Sequence, residues 1–158
     1  EGFLLKKFLD VFFISLVPIV ELRGAVPIGT AMGLPWHRTL IVSIIGNCVP
    51  VPFILLFINA ILKWMRGCKV KLFVKISNWL YEKAEKNREK IEKYATWGLY
   101  IFVAIPLPGT GAWTGALVAS VFGMSKKKAI ISICAGVLTA GLIMTFGSQL
   151  VKFIVGLF

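Results

Sequence analysis

Val17-Pro18-Ile19-Val20-Glu21-Leu22-Arg23-Gly24-Ala25-Val26-Pro27-Ile28-Gly29 is the stretch whose reading decides the fold. Glu21 and Arg23 are embedded in apolar sequence on both sides. A charge in that setting costs several kcal/mol unless it is paired or lines a cavity, so such residues mark a functional site by default. Pro18 and Pro27 remove backbone donors, and Gly24 and Gly29 weaken a helix, so a continuous helix is not expected here. On a regular helix, residues two apart point to nearly opposite sides. An unwound turn lets Glu21 and Arg23 face one cavity instead. Irregular backbone at membrane depth is tolerated only where protein or water covers it. The stretch therefore reads as the tip of a broken or re-entrant helix lining a site; the plainer alternative is a structural ion pair.

Working outward, composition supplies the medium. Of 158 residues, 58% are hydrophobic and only 16% charged, and the mean hydropathy is +0.84. A soluble domain carries about a quarter charged residues. The chain reads as an all-α integral membrane protein, multi-pass in the plasma (inner) membrane. Its net charge of +11 lies between apolar segments, as cytoplasmic loops require, and not on one globular face. Nucleic-acid binding is not expected. Cys48, Cys68 and Cys134 show no paired spacing and read as free thiols, and no metal or cofactor is expected. His37 follows Trp36 at the start of a span and reads as an interface residue. The apolar run after Lys6 and Lys7 is like a signal peptide. Glu21 and Arg23 stand where a cleavage site would, so the run is taken as mature fold.

Gly33 to Arg38 reads as a turn, and Thr39 to Leu62 is uncharged and long enough to cross a bilayer core, with a kink at Pro50 and Pro52. Asn47 within it reads as an interhelical hydrogen-bond donor. Lys63 to Lys93 carries ten Lys or Arg and four Glu. Val70, Phe73, Ser77, Leu80, Ala84, Asn87, Ile91 and Tyr94 form a helical stripe through it, flanked by the pairs Glu82–Lys86 and Glu89–Lys93. A basic amphipathic helix at the cytoplasmic surface is expected over 63–94.

Residues 95–124 are apolar and are followed by Lys126, Lys127 and Lys128. Both flanks are basic, hence cytoplasmic, yet two full crossings need about 40 helical residues. A hairpin that enters half-way and turns back fits, with Pro106, Pro108, Gly109, Thr110 and Gly111 at its tip. Ala129 to Gln149 then spans once. A shift of ninety residues pairs Pro18 with Pro108, Ala25 with Gly115, Gly29 with Ala119, Gly33 with Gly123, Arg38 with Lys128 and Gly46 with Gly136. The single membrane domain 1–158 thus divides into a first repeat (1–62), the cytoplasmic helix (63–94) and a second repeat (95–158). Each repeat is a broken hairpin plus a spanning helix, the second inverted, as in many transporters. Gly111, Gly115, Ala119 and Gly123, with Ala25, Gly29 and Gly33, form small-residue ladders for close packing.

The motifs Val20-Glu21-Leu22-Arg23-Gly24-Ala25-Val26-Pro27-Ile28-Gly29 and Phe102-Val103-Ala104-Ile105-Pro106-Leu107-Pro108-Gly109-Thr110-Gly111-Ala112-Trp113-Thr114-Gly115 resemble those of the small multi-drug export proteins. More distantly, the layout looks like the DedA superfamily. That resemblance implies facing re-entrant hairpins and ion-coupled transport of polyprenyl phosphate carrier lipids such as undecaprenyl phosphate. Glu21 matches the acidic residue of a DedA-type first hairpin. Val103 and Gly109 stand where DedA-type second hairpins carry arginines, and Arg23 is the candidate to supply that charge from the first hairpin.

The leading expectation is translocation of an anionic polyprenyl phosphate. Arg23 offers a bidentate fork, broken half-helices offer N–H groups, Thr110 presents a hydroxyl, and Glu21 is the candidate proton carrier. Protons or sodium would be the coupling ion. One alternative is a cationic drug exporter, with Glu21 attracting the substrate and Trp113 and Trp97 stacking on it. Another is a scaffold held by a self-satisfied Glu–Arg pair. No nucleophile with a base is in sight, so an enzyme is not expected. With so few crossings, a homodimer is one way to enclose a path.

Overall fold

A computed structural model describes residues 2–67, 70–86, 88–107 and 109–156. Cys68, Asn87 and Pro108 of the sequence reading lie outside the described residues, as do the side chains of Leu80, Ala84, Glu89, Ile91 and Lys93. The described residues form eight helices and no strand: α1 (Gly2–Leu16), α2 (Glu21–Ala31), α3 (Trp36–Cys48), α4 (Pro50–Gly67), α5 (Lys71–Lys86), α6 (Arg88–Ala104), α7 (Ala112–Val121) and α8 (Lys126–Val155).

Proline and glycine set the boundaries. Pro18 has no N–H to continue α1. The chain breaks over 17–20, where Ile19 (φ 82°) and Glu21 (φ 49°) both take left-handed backbone. A β-branched residue there costs roughly 1–3 kcal/mol and persists only where its surroundings impose it. The break is shorter than the sequence suggested. Gly24 and Pro27 are not tip residues but lie inside α2. Tertiary packing overrides their poor propensity, since Leu22, Ala25, Val26 and Gly29 of α2 are all buried.

α2 and α7 end alike. Gly33 (φ 78°) and Gly123 (φ 66°) follow their last turns. The N–H groups of Leu34 and Met124 donate back to the carbonyls of Gly29 and Ala119 at 3.1 and 2.9 Å. These are glycine C-caps, which leave the paired turns ninety residues apart with the same hydrogen bonds. α3 and α8 then begin with the same bonds, from Thr39 to Pro35 and from Ala129 to Ser125. Gly33 and Gly123 thus serve backbone conformation, not the packing ladder assigned to them.

α3 and α4 run on through Val49 as a 32-residue apolar stretch, interrupted ahead of Pro50. This stretch and α8 are long and apolar enough to cross a membrane. The basic segment expected as one helix is divided among the end of α4, the whole of α5 and the start of α6, which continues into apolar sequence.

The core is built from small and branched residues of facing helices. Leu22, Val26, Val51, Val103, Ala112, Ala116, Ile133 and Val137 are at most 1% exposed. A Cβ at Gly136 would press on the carbonyl of Tyr100 and on Val103, and one at Gly46 on the carbonyl of Phe12 and on Ser15. α8 therefore lies close against α6, and α3 against α1. Outside, Phe57, Ile131, Phe146 and Phe153 are over 60% exposed.

The helix ends locate α2 and α7 against α8. α7 joins α8 at the N-terminal end of α8, through the turn at 122–125. The last turn of α2 instead receives a hydrogen bond from Lys152, near the C-terminal end of α8. Since α2 and α7 also meet at their starts, they lie tip to tip along α8.

Candidate functional site

The second break leaves two sets of unsatisfied groups. α6 ends at Ala104, exposing its last carbonyls, and α7 begins at Ala112, exposing its first N–H groups. Residues of the first turn of α2, just after the first break, satisfy both. Arg23 Nη1 donates to Glu21 Oε2 at 2.6 Å. Its Nη2 donates to the carbonyls of Val103 and Ile105 at 3.2 and 3.1 Å, and to Thr110 Oγ1 at 3.1 Å. Glu21 Oε1 accepts from the backbone N–H of Trp113 at 3.1 Å, in the first turn of α7. The indole Nε1 of Trp113 donates to the carbonyl of Leu16, the last residue of α1, at 3.1 Å.

Charge and dipole agree at every contact. A cation is favoured at a helix C-terminus and an anion at an N-terminus. Arg23 sits on the end of α6. Glu21 is the first residue of α2 and also faces the start of α7. Glu21 takes left-handed backbone at the start of α2, and its carboxylate meets Arg23, two residues on. Glu21 is 3% exposed, and the ion pair is nine-tenths buried or more on both sides. Its charges are compensated, as burial demands.

Glycine makes room for the carboxylate. A Cβ on Gly111 would overlap the carboxyl group of Glu21, so Gly111 belongs to the site and not only to a packing ladder. Thr110 is oriented by its own neighbours, its hydroxyl lying 2.8 Å from the carbonyls of both Ile105 and Leu107. Pro106 and Gly109 lie in the second break, the latter at φ 83°.

The four candidate binding residues, Glu21, Arg23, Thr110 and Trp113, are thus brought together. Trp97 is not among them: it is 71% exposed on α6, with its ring edge-on to Tyr100. His37 is exposed beside Trp36. Asn47 does not make the interhelical hydrogen bond expected of it; it is fully buried and neither amide atom has a partner. Arg23 Nε is likewise buried without an acceptor. Sequence reasoning missed the carbonyls of Leu16, Val103 and Ile105, which are main-chain groups with no side-chain signature. Among the described residues no cluster of three or more His, Cys, Asp or Glu side chains occurs. The chemistry available is that of one carboxylate, one guanidinium and the two helix ends they cover.

The family model described as "Putative small multi-drug export protein" matches residues 21–143, well over half of the chain, and includes both breaks. No curated protein and no solved structure matches. Family and apolar helices together mark a membrane protein.

Proposed function

From its membership in the small multi-drug export protein family, to which the chain belongs, we infer that this protein is a multi-pass transporter of the plasma (inner) membrane. Its substrate is an anionic lipid phosphate of the polyprenyl phosphate class. One observation carries the reading: the carboxylate of Glu21 is held by the Arg23 guanidinium and by a backbone N–H at the start of α7. Those are the donors that hold a phosphate elsewhere. Glu21 is an internal anion on an anion site. A substrate phosphate exchanges with it for Arg23 and Trp113 N–H, and protonation of the released carboxylate couples transport to a proton.

The two halves act as inverted repeats whose broken hairpins re-enter from opposite faces. The shared turn geometry ninety residues apart and the tip-to-tip contact of α2 and α7 support this arrangement. The family's description favours a second reading, export of a small-molecule drug, which as a cation would be attracted by Glu21. Arg23, 2.6 Å from that carboxylate, opposes it by repelling the same substrate.

Binding of a polyprenyl phosphate and of a lipophilic cation to purified wild type, Arg23→Ala, Glu21→Gln and the double variant Glu21→Leu/Arg23→Met distinguishes the readings, with thermal stability measured in parallel. For a phosphate substrate, Arg23→Ala abolishes lipid binding while Glu21→Gln keeps or tightens it. For a cation the order reverses. A scaffold pair gives a third pattern: each single change costs about 3–5 kcal/mol and the double apolar variant restores stability and activity. A stable Arg23→Ala protein that still binds the phosphate lipid overturns the proposal.

A further inference from the structure

Between α2 and α8, at the end of the molecule away from the ion pair, lies an apolar groove of about 500 Å³. Pro27, Thr30 and Ala31 line one wall, Ile143 and Gly147 the other, and Lys152 closes the outer end. Lys152 lines the groove, and Lys7, whose ammonium lies 4.8 Å over the Phe3 ring, reaches the neighbouring turn. Lys152 Nζ donates to the carbonyl of Thr30, and Lys7 Nζ of α1 donates to the carbonyl of Met32 at 2.8 Å. Each ammonium carries three donors, so further hydrogen bonds remain open to it. Among the described residues neither lies within salt-bridge distance of a carboxylate. Thr30, which lines the groove, is 3% exposed, and its hydroxyl is buried without a partner.

We propose that this groove is a binding site for an anionic phospholipid, with the phosphate on Lys152 and Lys7 and an acyl chain laid along Pro27, Ala31, Ile143 and Gly147. Charge and shape agree with that occupant. The two cations lie next to the α2–α3 turn, and the apolar walls run along α8 from Lys152 toward Ile143. From Lys152 to Ile143 is nine residues, about 13 Å at the helical rise, enough for a substantial part of one acyl chain. The site is separate from Arg23 and does not depend on which substrate the ion pair serves.

Gly147 supplies a clean test. A Cβ built there meets nothing within 4 Å, so Gly147→Leu adds bulk at the groove wall with no clash at its Cβ. Native mass spectrometry of the full chain measures retention of phosphatidylglycerol and phosphatidylcholine, with inorganic phosphate as the headgroup-only probe. Wild type retains phosphatidylglycerol over phosphatidylcholine and does not hold inorganic phosphate. Lys152→Gln weakens phosphatidylglycerol about tenfold, the worth of a hydrogen bond to a charged group. Gly147→Leu removes it at unchanged melting temperature. Phosphatidylglycerol held equally by all three proteins overturns the proposal. So does a Lys152→Gln protein that binds as wild type while Gly147→Leu does not, since the occupant is then a chain without a phosphate. Loss of a dimer in Gly147→Leu with no loss of lipid likewise assigns the groove to a second copy and overturns it.

Discussion

Gly111 shows how closely single positions are specified. Its missing Cβ leaves the space that the carboxyl group of Glu21 occupies. Gly111→Ala therefore drives Glu21 off the N–H of Trp113 and strands that group at the start of α7. The expected loss is about 1–3 kcal/mol of stability, read as a lowered thermal midpoint. Gly109→Ala is the control. It meets no neighbour and bears only the strain of φ 83°, a cost of about 1 kcal/mol. Equal losses at the two positions would contradict the contact. At this scale the sequence was legible where charge is expensive: Glu21 and Arg23 stand out because apolar flanks leave them no water. Their partners were not legible, because Val103, Ile105 and Trp113 contribute main-chain atoms that any residue carries.

Breaks and ladders belong to the scale of elements. Pro18 and the run from Pro106 to Gly111 were readable as breaks, since proline denies the helix a donor and glycine frees the chain. Pro27 misled, because buried neighbours on α2 hold the helix through it. The basic segment misled for another reason: its stripe is periodic across 70–94, and periodicity alone does not mark where α5 gives way to α6. The small-residue ladder holds at Gly115, where an added Cβ would press on Val103 and touch Ile133 and Leu99. Gly115→Leu is expected to lower stability by about 1–3 kcal/mol through overpacking. Gly98→Ala, on the same hairpin with open space around its Cβ, is expected to raise it by up to about 1 kcal/mol from helix propensity. Thermal unfolding of the two variants beside wild type checks both signs.

For the whole molecule, the two helix breaks, between α1 and α2 and between α6 and α7, meet each other. Each leaves helix ends that no lipid can satisfy. The Glu21–Arg23 pair of the first closes the second, so neither tip is complete alone. That requires them to approach from opposite ends of α8, as the bond from Lys152 to the last turn of α2 and the α7–α8 turn indicate. The proposed repeat at ninety residues rests on six matched positions in the sequence, and the proposed direction of approach rests on charge, through the lysines at 126–128 and the basic segment before them. The most direct test is cysteine labelling from each side of the membrane, in a background without Cys48, Cys68 and Cys134. Cysteines placed at Lys86 and Lys127 are expected to react from the cytoplasm, and those at Met32 and Lys152 from the opposite face. Labelling of all four from one side, or of Lys86 and Lys127 from different sides, would contradict the account.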